Sequence, residues 1–571
     1  MELLLCLVSC TLVTVVYAQK PYIMNWATQS YGPDGPWQAV TINVGSNKQP
    51  IALYPGANYA STIFADSICA NSTLSSSCYA ARAGTYNASE STAAISRGHS
   101  ANTSSPWQVF YWSVQGASRQ STAADEVIFD EDETIIPNVS FTTIYDTYQT
   151  YPNGRSYPVS VGNLALGAPR LRDTSSGADL NMIAAWLYTS GRTPSYAYSM
   201  HIGSVDPPIP GSLVVGGYDR YRLIGKPSSQ SIVDSAGTLQ IVLEDIGLGV
   251  AEGGSPFPSF TDTYQGGLFL DDEHQNGGMA LPRLVTIDPT KPYMYLPKAT
   301  CDAVTGFFPV SFETGLGLYI WDVNSADYAN LTSSPAYIAF AFNKDGSAAQ
   351  NMTVRVPLRL LTLTLQEPLV DGRNLTYFPC FLSTDTPVLG RAFLQAAFVG
   401  VNWFEGANNG SWVLGQAPGP GLQGGTEGDI APIAVSDRTL QGTEEGSWVD
   451  SWTQHWTPLE VQRTNAGADT PNDSGMSIGA KTGIGVGVGV AGMILIASGV
   501  WVVILRYRRQ QVDRPDDTNE SGAVGIKADT ETVIELSGVD KQHGPAELAA
   551  KGTAHPLELM DRDLVVQHEL E

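Results

Sequence analysis

The chain has 571 residues, with 31 Lys and Arg against 56 Asp and Glu, a formal net charge of −25. A length of this order holds a large two-lobed unit with appendages and excludes a small disulfide-stapled scaffold, while 43% apolar and 15% charged residues exclude a coiled coil or a chain disordered throughout. The acidic balance repels phosphate backbones, so nucleic acid is excluded as a partner.

In chain order, Leu3 to Val16 is an apolar run of signal-peptide length, and Val16-Tyr17-Ala18 fits the small-x-small cleavage rule. Residues 1–18 are therefore expected to be removed before Gln19. Glu2 and the lack of Lys or Arg before the apolar run leave an uncleaved anchor as the alternative. From about Trp26 to Trp412, short β-branched and aromatic runs are cut by Gly, Pro, Asn and Ser, as in Trp37 to Val44 and Gly211 to Val215. This pattern predicts an all-β domain over residues 19–414, divided near 220–240, with brief helices at Leu180 to Thr189 and Ala299 to Phe307.

From Gly415 the composition turns to Gly, Pro, Thr, Glu and Asp, so residues 415–481 read as a stalk. Trp448, Trp452 and Trp456 are unusual in a linker, because indoles prefer burial against a folded domain or a ligand. Thr482 to Leu505 carries no charge and is long enough to span a bilayer; Arg506, Arg508 and Arg509 behind it place the C-terminus in the cytoplasm. The expected arrangement is single-pass type I, in the plasma membrane or a membrane of the secretory pathway. Gly483, Gly485, Gly487 and Gly489 give small-xxx-small spacings through which two such helices would dimerise. Residues 506–571 have the composition of a disordered tail.

Cys6 and Cys10 leave with the signal peptide, and Cys69, Cys78, Cys301 and Cys380 remain for two disulfides in an oxidising compartment. Sequons at Asn71, Asn87, Asn102, Asn138, Asn330, Asn351, Asn374, Asn409 and Asn472 predict glycosylation. The histidines have no metal-ligand spacing, and neither a metal nor a cofactor is expected. Gly475-Met-Ser-Ile-Gly479 and Gly487-Val-Gly-Val-Ala-Gly492 match a nucleophile elbow and a dinucleotide fingerprint, but both lack the strand-turn-helix setting those motifs require.

An internal repeat carries the functional reading. Ile51-Ala-Leu-Tyr-Pro-Gly56 and Val285-Thr-Ile-Asp-Pro-Thr290 are both apolar strands entering a Pro-containing turn, echoed downstream by Leu164-Ala-Leu-Gly167 and Pro387-Val-Leu-Gly390. With Gly211-Ser-Leu-Val-Val-Gly-Gly-Tyr-Asp219, Leu389-Gly-Arg-Ala-Phe-Leu-Gln395 and Thr286 to Pro297 with Cys301 beyond, the stretch from about 37 to 412 resembles the pepsin-like aspartic proteases. The resemblance implies a two-lobed all-β fold, disulfides Cys69–Cys78 and Cys301–Cys380, and a cleft between the lobes that takes an extended peptide. In that family two carboxylates share one proton at the cleft floor; one activates water and the other protonates the oxyanion.

Here Asp288 keeps the second carboxylate, but Tyr54 stands at the position of the first. A phenol with a pKa near 10 donates a hydrogen bond and is no base at acid or neutral pH. Pro55 and Pro289 remove the hydroxyl and N–H that the family's Thr or Ser supplies, and Thr290 adds a Cβ where Gly is usual. Asp66, twelve residues past Tyr54, is out of register as a substitute. Tyr148 and Tyr151, beside the Asn153-Gly154 turn signal, are candidates for a flap tyrosine, with a plain surface hairpin as the alternative. The expectation is a catalytically impaired protein that keeps a peptide-binding cleft. The alternatives are an endopeptidase using Asp288 with another acid, and a structural surface glycoprotein whose cleft its own side chains fill.

Overall fold

The computed structural model describes residues 19–56, 61–70, 77–96, 115–129, 134–167, 172–173, 180–233, 237–260, 262–271, 283–383, 386–403, 410–422, 429–444 and 446–461. All of them lie within one compact unit, residues 1–465. The expected signal peptide, membrane span and tail, and Asn71, Asn102, Asn409 and Asn472, fall outside the described residues. Among those residues no helix is long and apolar enough to cross a membrane.

The described residues are mostly β-strand with few helices, as the patterning predicts. The two expected helices form at Ile183–Thr189 and Lys298–Thr305. Three larger sheets carry the chain. The first takes its core from the N-terminal half, where Val40–Val44, Gln49–Gly56, Ser61–Phe64, Thr134–Thr150 and Gly162–Ala165 are joined. The second takes Gln240–Val250, Arg283–Ile287, Met294–Leu296, Cys380–Leu382 and Val388–Leu389 from the later half. The third has six strands, in the order Tyr22–Ile23, Ser212–Val215, Tyr198–His201, Ala397–Asn402, Ser411–Gln416, Ile224–Ser231, and mixes early and late chain.

The repeat read from sequence is present as one strand weave used twice. In the first sheet Gln49–Gly56 runs parallel to Gly162–Ala165, which is antiparallel to Ser61–Phe64, itself parallel to Thr134–Thr150. In the second, Arg283–Ile287 runs parallel to Val388–Leu389, which is antiparallel to Met294–Leu296, itself parallel to Cys380–Leu382. Strands covered on both faces read as continuous apolar runs, and residues 51–56 are accordingly all buried. Each weave carries one disulfide nearby. Cys69–Cys78 is a short surface clasp, whereas Cys301–Cys380 spans 79 residues and ties the helix Lys298–Thr305 to the sheet core.

Residues 415–461 depart from the stalk expectation. Ser411–Gln416 belongs to the six-stranded sheet, and Ile430–Pro432 pairs with Gly217–Asp219. Trp452 is 1% exposed and stacks on Trp456 at 5.8 Å, while Trp448 meets Tyr337 edge-on at 5.5 Å. The Trp456 Nε1 donates to Glu252, and the Arg359 guanidinium donates to the His455 carbonyl. Gly, Pro and Thr there make an irregular strap, and the indoles hold it to the domain by burial. Asn138, Asn330, Asn351 and Asn374 are exposed, and Asn87 is half-buried, its side chain capping a short helical turn.

Candidate functional site

Gln49–Gly56 delivers Tyr54 to the end of the first weave, directly opposite Asn163 on the parallel strand. The ring is 6% exposed, and its hydroxyl has no hydrogen-bond partner among the described residues. Above the ring lies Arg391, with its guanidinium carbon 3.9 Å from the ring centroid and 5.0 Å from that of Trp37. Arg391 is itself 4% exposed and opens the short helix Arg391–Leu394. Its guanidinium donates to the carbonyls of Pro289 and Thr290 at 3.2 and 2.9 Å, so one side chain joins the first turn to the second. The preceding Gly390 allows this approach: a Cβ there would stand 2.3 Å from the Lys291 carbonyl oxygen.

Asp288 sits where the second weave ends. Its N–H donates to the Leu389 carbonyl, and its carboxylate accepts from the Thr290 N–H at 2.9 Å and the Thr290 hydroxyl at 2.6 Å. Thr290, at the position where glycine was expected, turns its methyl toward Gly56; a Cβ on that glycine would lie 2.6 Å from it. The two turns therefore touch through Thr290 and Gly56 and are bridged by Arg391. Among the described residues no hydrogen bond links Asp288 to Tyr54. Asp66 is exposed and begins a short surface 3-10 helix.

A carboxyl that the sequence reading did not single out stands here instead. Asp34 accepts a hydrogen bond from the Trp37 Nε1 at 2.9 Å, and Tyr377 donates to its backbone carbonyl. Burial pushes its pKa above the usual carboxylate range, with Arg391 acting in the opposite direction. Burial likewise raises the Tyr54 pKa, keeping the phenol protonated. Lys291, next along the second turn, is pulled below the ordinary lysine value by burial, opposed by Asp288. Asp34 lies in the Gly-Pro-Asp-Gly-Pro segment 32–36, which reads locally as a turn; nothing local announces its distant neighbours.

Asp34, Tyr54, Tyr157, Asn163, Lys291 and Arg391, among others, line a cavity of about 80 Å³, and Asp288 is not part of its lining. The hairpin after Thr150 forms part of its wall. Tyr151 and Tyr293 share a hydroxyl hydrogen bond at 3.1 Å, and the Asn153 N–H donates to the Gly315 carbonyl. Arg155 clasps Asp371 with two bonds of 2.6 and 2.7 Å. Tyr151 thus faces the cavity and bridges the two repeated sheets, while Tyr148 stays in the strand opposite Ala117. No family model matches this chain, and no curated protein is significantly similar to it.

Proposed function

We propose that the protein is a two-lobed pepsin-like scaffold that has exchanged hydrolysis for recognition. On this reading it is a single-pass type I glycoprotein of the cell surface or secretory membranes that binds peptide and leaves it intact. The observation that carries the reading is Arg391 stacked on Tyr54 at the floor of the cavity. Water activation by a carboxylate pair needs one member free to accept a proton. A phenol held protonated by burial is no acceptor, and among the described residues no second carboxylate is hydrogen-bonded to Asp288, whose Oδ1 accepts both bonds from Thr290. Peptide affinity in such clefts comes from main-chain pairing and side-chain pockets, which do not require the dyad.

The deciding assay is hydrolysis of a peptide library by the purified full-length chain between about pH 3 and 7, beside Asp288→Ala. No cleavage by either is expected. Cleavage by the wild type that disappears in Asp288→Ala would establish an endopeptidase with another acid and overturn the proposal. A purely structural glycoprotein is the second reading, favoured by the tyrosines that crowd the cavity. Failure of the wild type to bind any member of the library would select it.

A further inference from the structure

We propose that Asp34 is a proton-operated switch for Arg391: with Asp34 protonated the guanidinium holds the two turns together, and with Asp34 ionised it swings toward the carboxylate and releases them. The inference supplies a regulation of the recognition site proposed above. It rests on that reading for its ligand, whereas the switch itself is read without one.

Geometry is the first ground. Asp34 and Arg391 line the same cavity, yet among the described residues neither forms an ion pair. Trp37 stands between them, its Nε1 donating to the Asp34 Oδ1 at 2.9 Å and its ring centroid 5.0 Å from the guanidinium carbon. Buried charges are ordinarily paired, and a carboxylate is a stronger acceptor for a guanidinium than a neutral carbonyl. Arg391 bonded to the carbonyls of Pro289 and Thr290 is thus the arrangement that suits a neutral Asp34. Its Nε, buried and without a partner among the described residues, is a donor still free for the ionised form.

The frame around Asp34 supplies the second ground. The Thr364 N–H donates to the Gly35 carbonyl at 2.9 Å, the Gln366 N–H to that of Pro33 at 2.7 Å, and Tyr377 to that of Asp34 itself. A backbone pinned on both sides and at its centre cannot carry the new charge away, so the response falls on the Arg391 side chain. Protons have a route, because Asp34 is half-buried at the cavity wall and the cavity continues past Ser160 and Val161 into an adjoining pocket.

The surroundings leave Asp34 as the titrating group. Tyr31 and Trp37 share its segment; Tyr54, Tyr151, Tyr293, Tyr377 and Arg391 face it from other elements. Burial keeps those four facing tyrosines protonated, and it holds Asp34 neutral to higher pH than an ordinary carboxylate, with Arg391 opposing. Lys291 faces Asp288 and Arg391, and the adjoining pocket adds Arg82 and Glu367, of opposite charge. The neutral form prevails in acid, and the switch turns as pH rises through the elevated value.

The test compares denaturation of the purified full-length wild type and Arg391→Lys at about pH 4 and about pH 8. Lysine keeps the charge but cannot both stack and reach two carbonyls, so at the acid end the wild type is expected to have a folding constant more than about tenfold larger. At the alkaline end either cation pairs with ionised Asp34, and the gap is expected to close to within about threefold. In an Asp34→Asn background the gap should stay the same at both values. An Arg391 that merely props the turns gives a gap independent of pH, and that result would overturn the proposal, as would a change that persists in Asp34→Asn. The wild type alone gives a second check: its near-ultraviolet circular dichroism should show a step over this range, and a flat signal sinks the switch without any variant. Binding of the peptide library should be about tenfold tighter at the acid end, where the turns are held in place. Binding that is equal at both ends overturns the regulation of the site. No binding at either end overturns the recognition reading, while the ligand-free measurements still decide the switch.

Discussion

The Arg391 guanidinium lies 3.9 Å from the centroid of the Tyr54 ring, with both side chains nearly sealed from solvent. A buried cation over an aromatic face is worth about 2 kcal/mol when desolvated, and here it stands where the resemblance places an acid. On the proposed reading, the pair would oppose a carboxylate dyad at this position. Tyr54→Asp is expected to remain inactive on peptide libraries, because the new carboxylate would ion-pair with Arg391 and lose the freedom to share a proton. Hydrolysis by Tyr54→Asp alone, measured beside the wild type, would contradict this.

Tyr54 is held by its ring rather than its hydroxyl. Tyr54→Phe deletes a buried oxygen that has no partner among the described residues and should change stability by less than about 1 kcal/mol. Tyr54→Ala should cost about 3–5 kcal/mol through the cavity it leaves. Arg391→Lys should cost about 1.5–3 kcal/mol, since a single ammonium cannot both stack and reach two carbonyls. Chemical denaturation of the three variants gives the ordering directly.

Two buried groups make stability depend on pH in opposite directions. His201 is fully buried, bonded to the Gln395 carbonyl, and burial with help from Arg222 lowers its pKa from 6.5 to about 3. Its neutral form is the native one, so its contribution is complete above pH 6.5 and is lost as pH falls toward 3, by a few kcal/mol. Asp34 is raised, so its contribution is present below the ordinary carboxylate pKa and is lost as pH rises through its elevated value. Melting curves from pH 3 to 8 should show acid destabilisation that is reduced in His201→Gln, and a loss as pH rises above the ordinary carboxylate range that is removed in Asp34→Asn. A wild-type curve flat below pH 6.5 would contradict the first assignment.

The two disulfides should contribute unequally. Closing the 79-residue span between Cys301 and Cys380 removes more unfolded-state entropy than closing the 9-residue span between Cys69 and Cys78, by about 2 kcal/mol on the loop-closure relation. Cys301 and Cys380 are also fully buried, whereas Cys69 is exposed. Thermal melts of the two double-serine variants should place the Cys301/Cys380 pair well below the other.

The patterning predicts the β class, both short helices and the repeat of two Pro-containing turns, because each depends on local periodicity and turn residues; the pairing of strands over a hundred residues apart that makes the weave does not. Tyr54 and Asp288 were visible for the same reason: a repeat marks the positions where its copies differ. Asp34 and Arg391 are not, although Arg391 lies within the segment Leu389-Gly-Arg-Ala-Phe-Leu-Gln395. Their roles arise from strands that bring residues far apart in sequence into contact, and no local pattern encodes that contact. At 415–461 composition predicts the backbone irregularity and suggests a free stalk, whereas Trp448, Trp452 and Trp456 announce the burial that holds the strap to the domain.

The six-stranded sheet imposes an order on synthesis. Tyr198–His201 acquires Ser212–Val215 as a neighbour almost at once, but its other neighbour, Ala397–Asn402, is translated nearly two hundred residues later. At ~5–20 residues per second, that edge stays open for roughly ten to forty seconds. An unpaired strand edge is a template for pairing with other chains. The early half therefore leaves the ribosome adhesive, and a product truncated before residue 397 keeps that edge permanently unpaired.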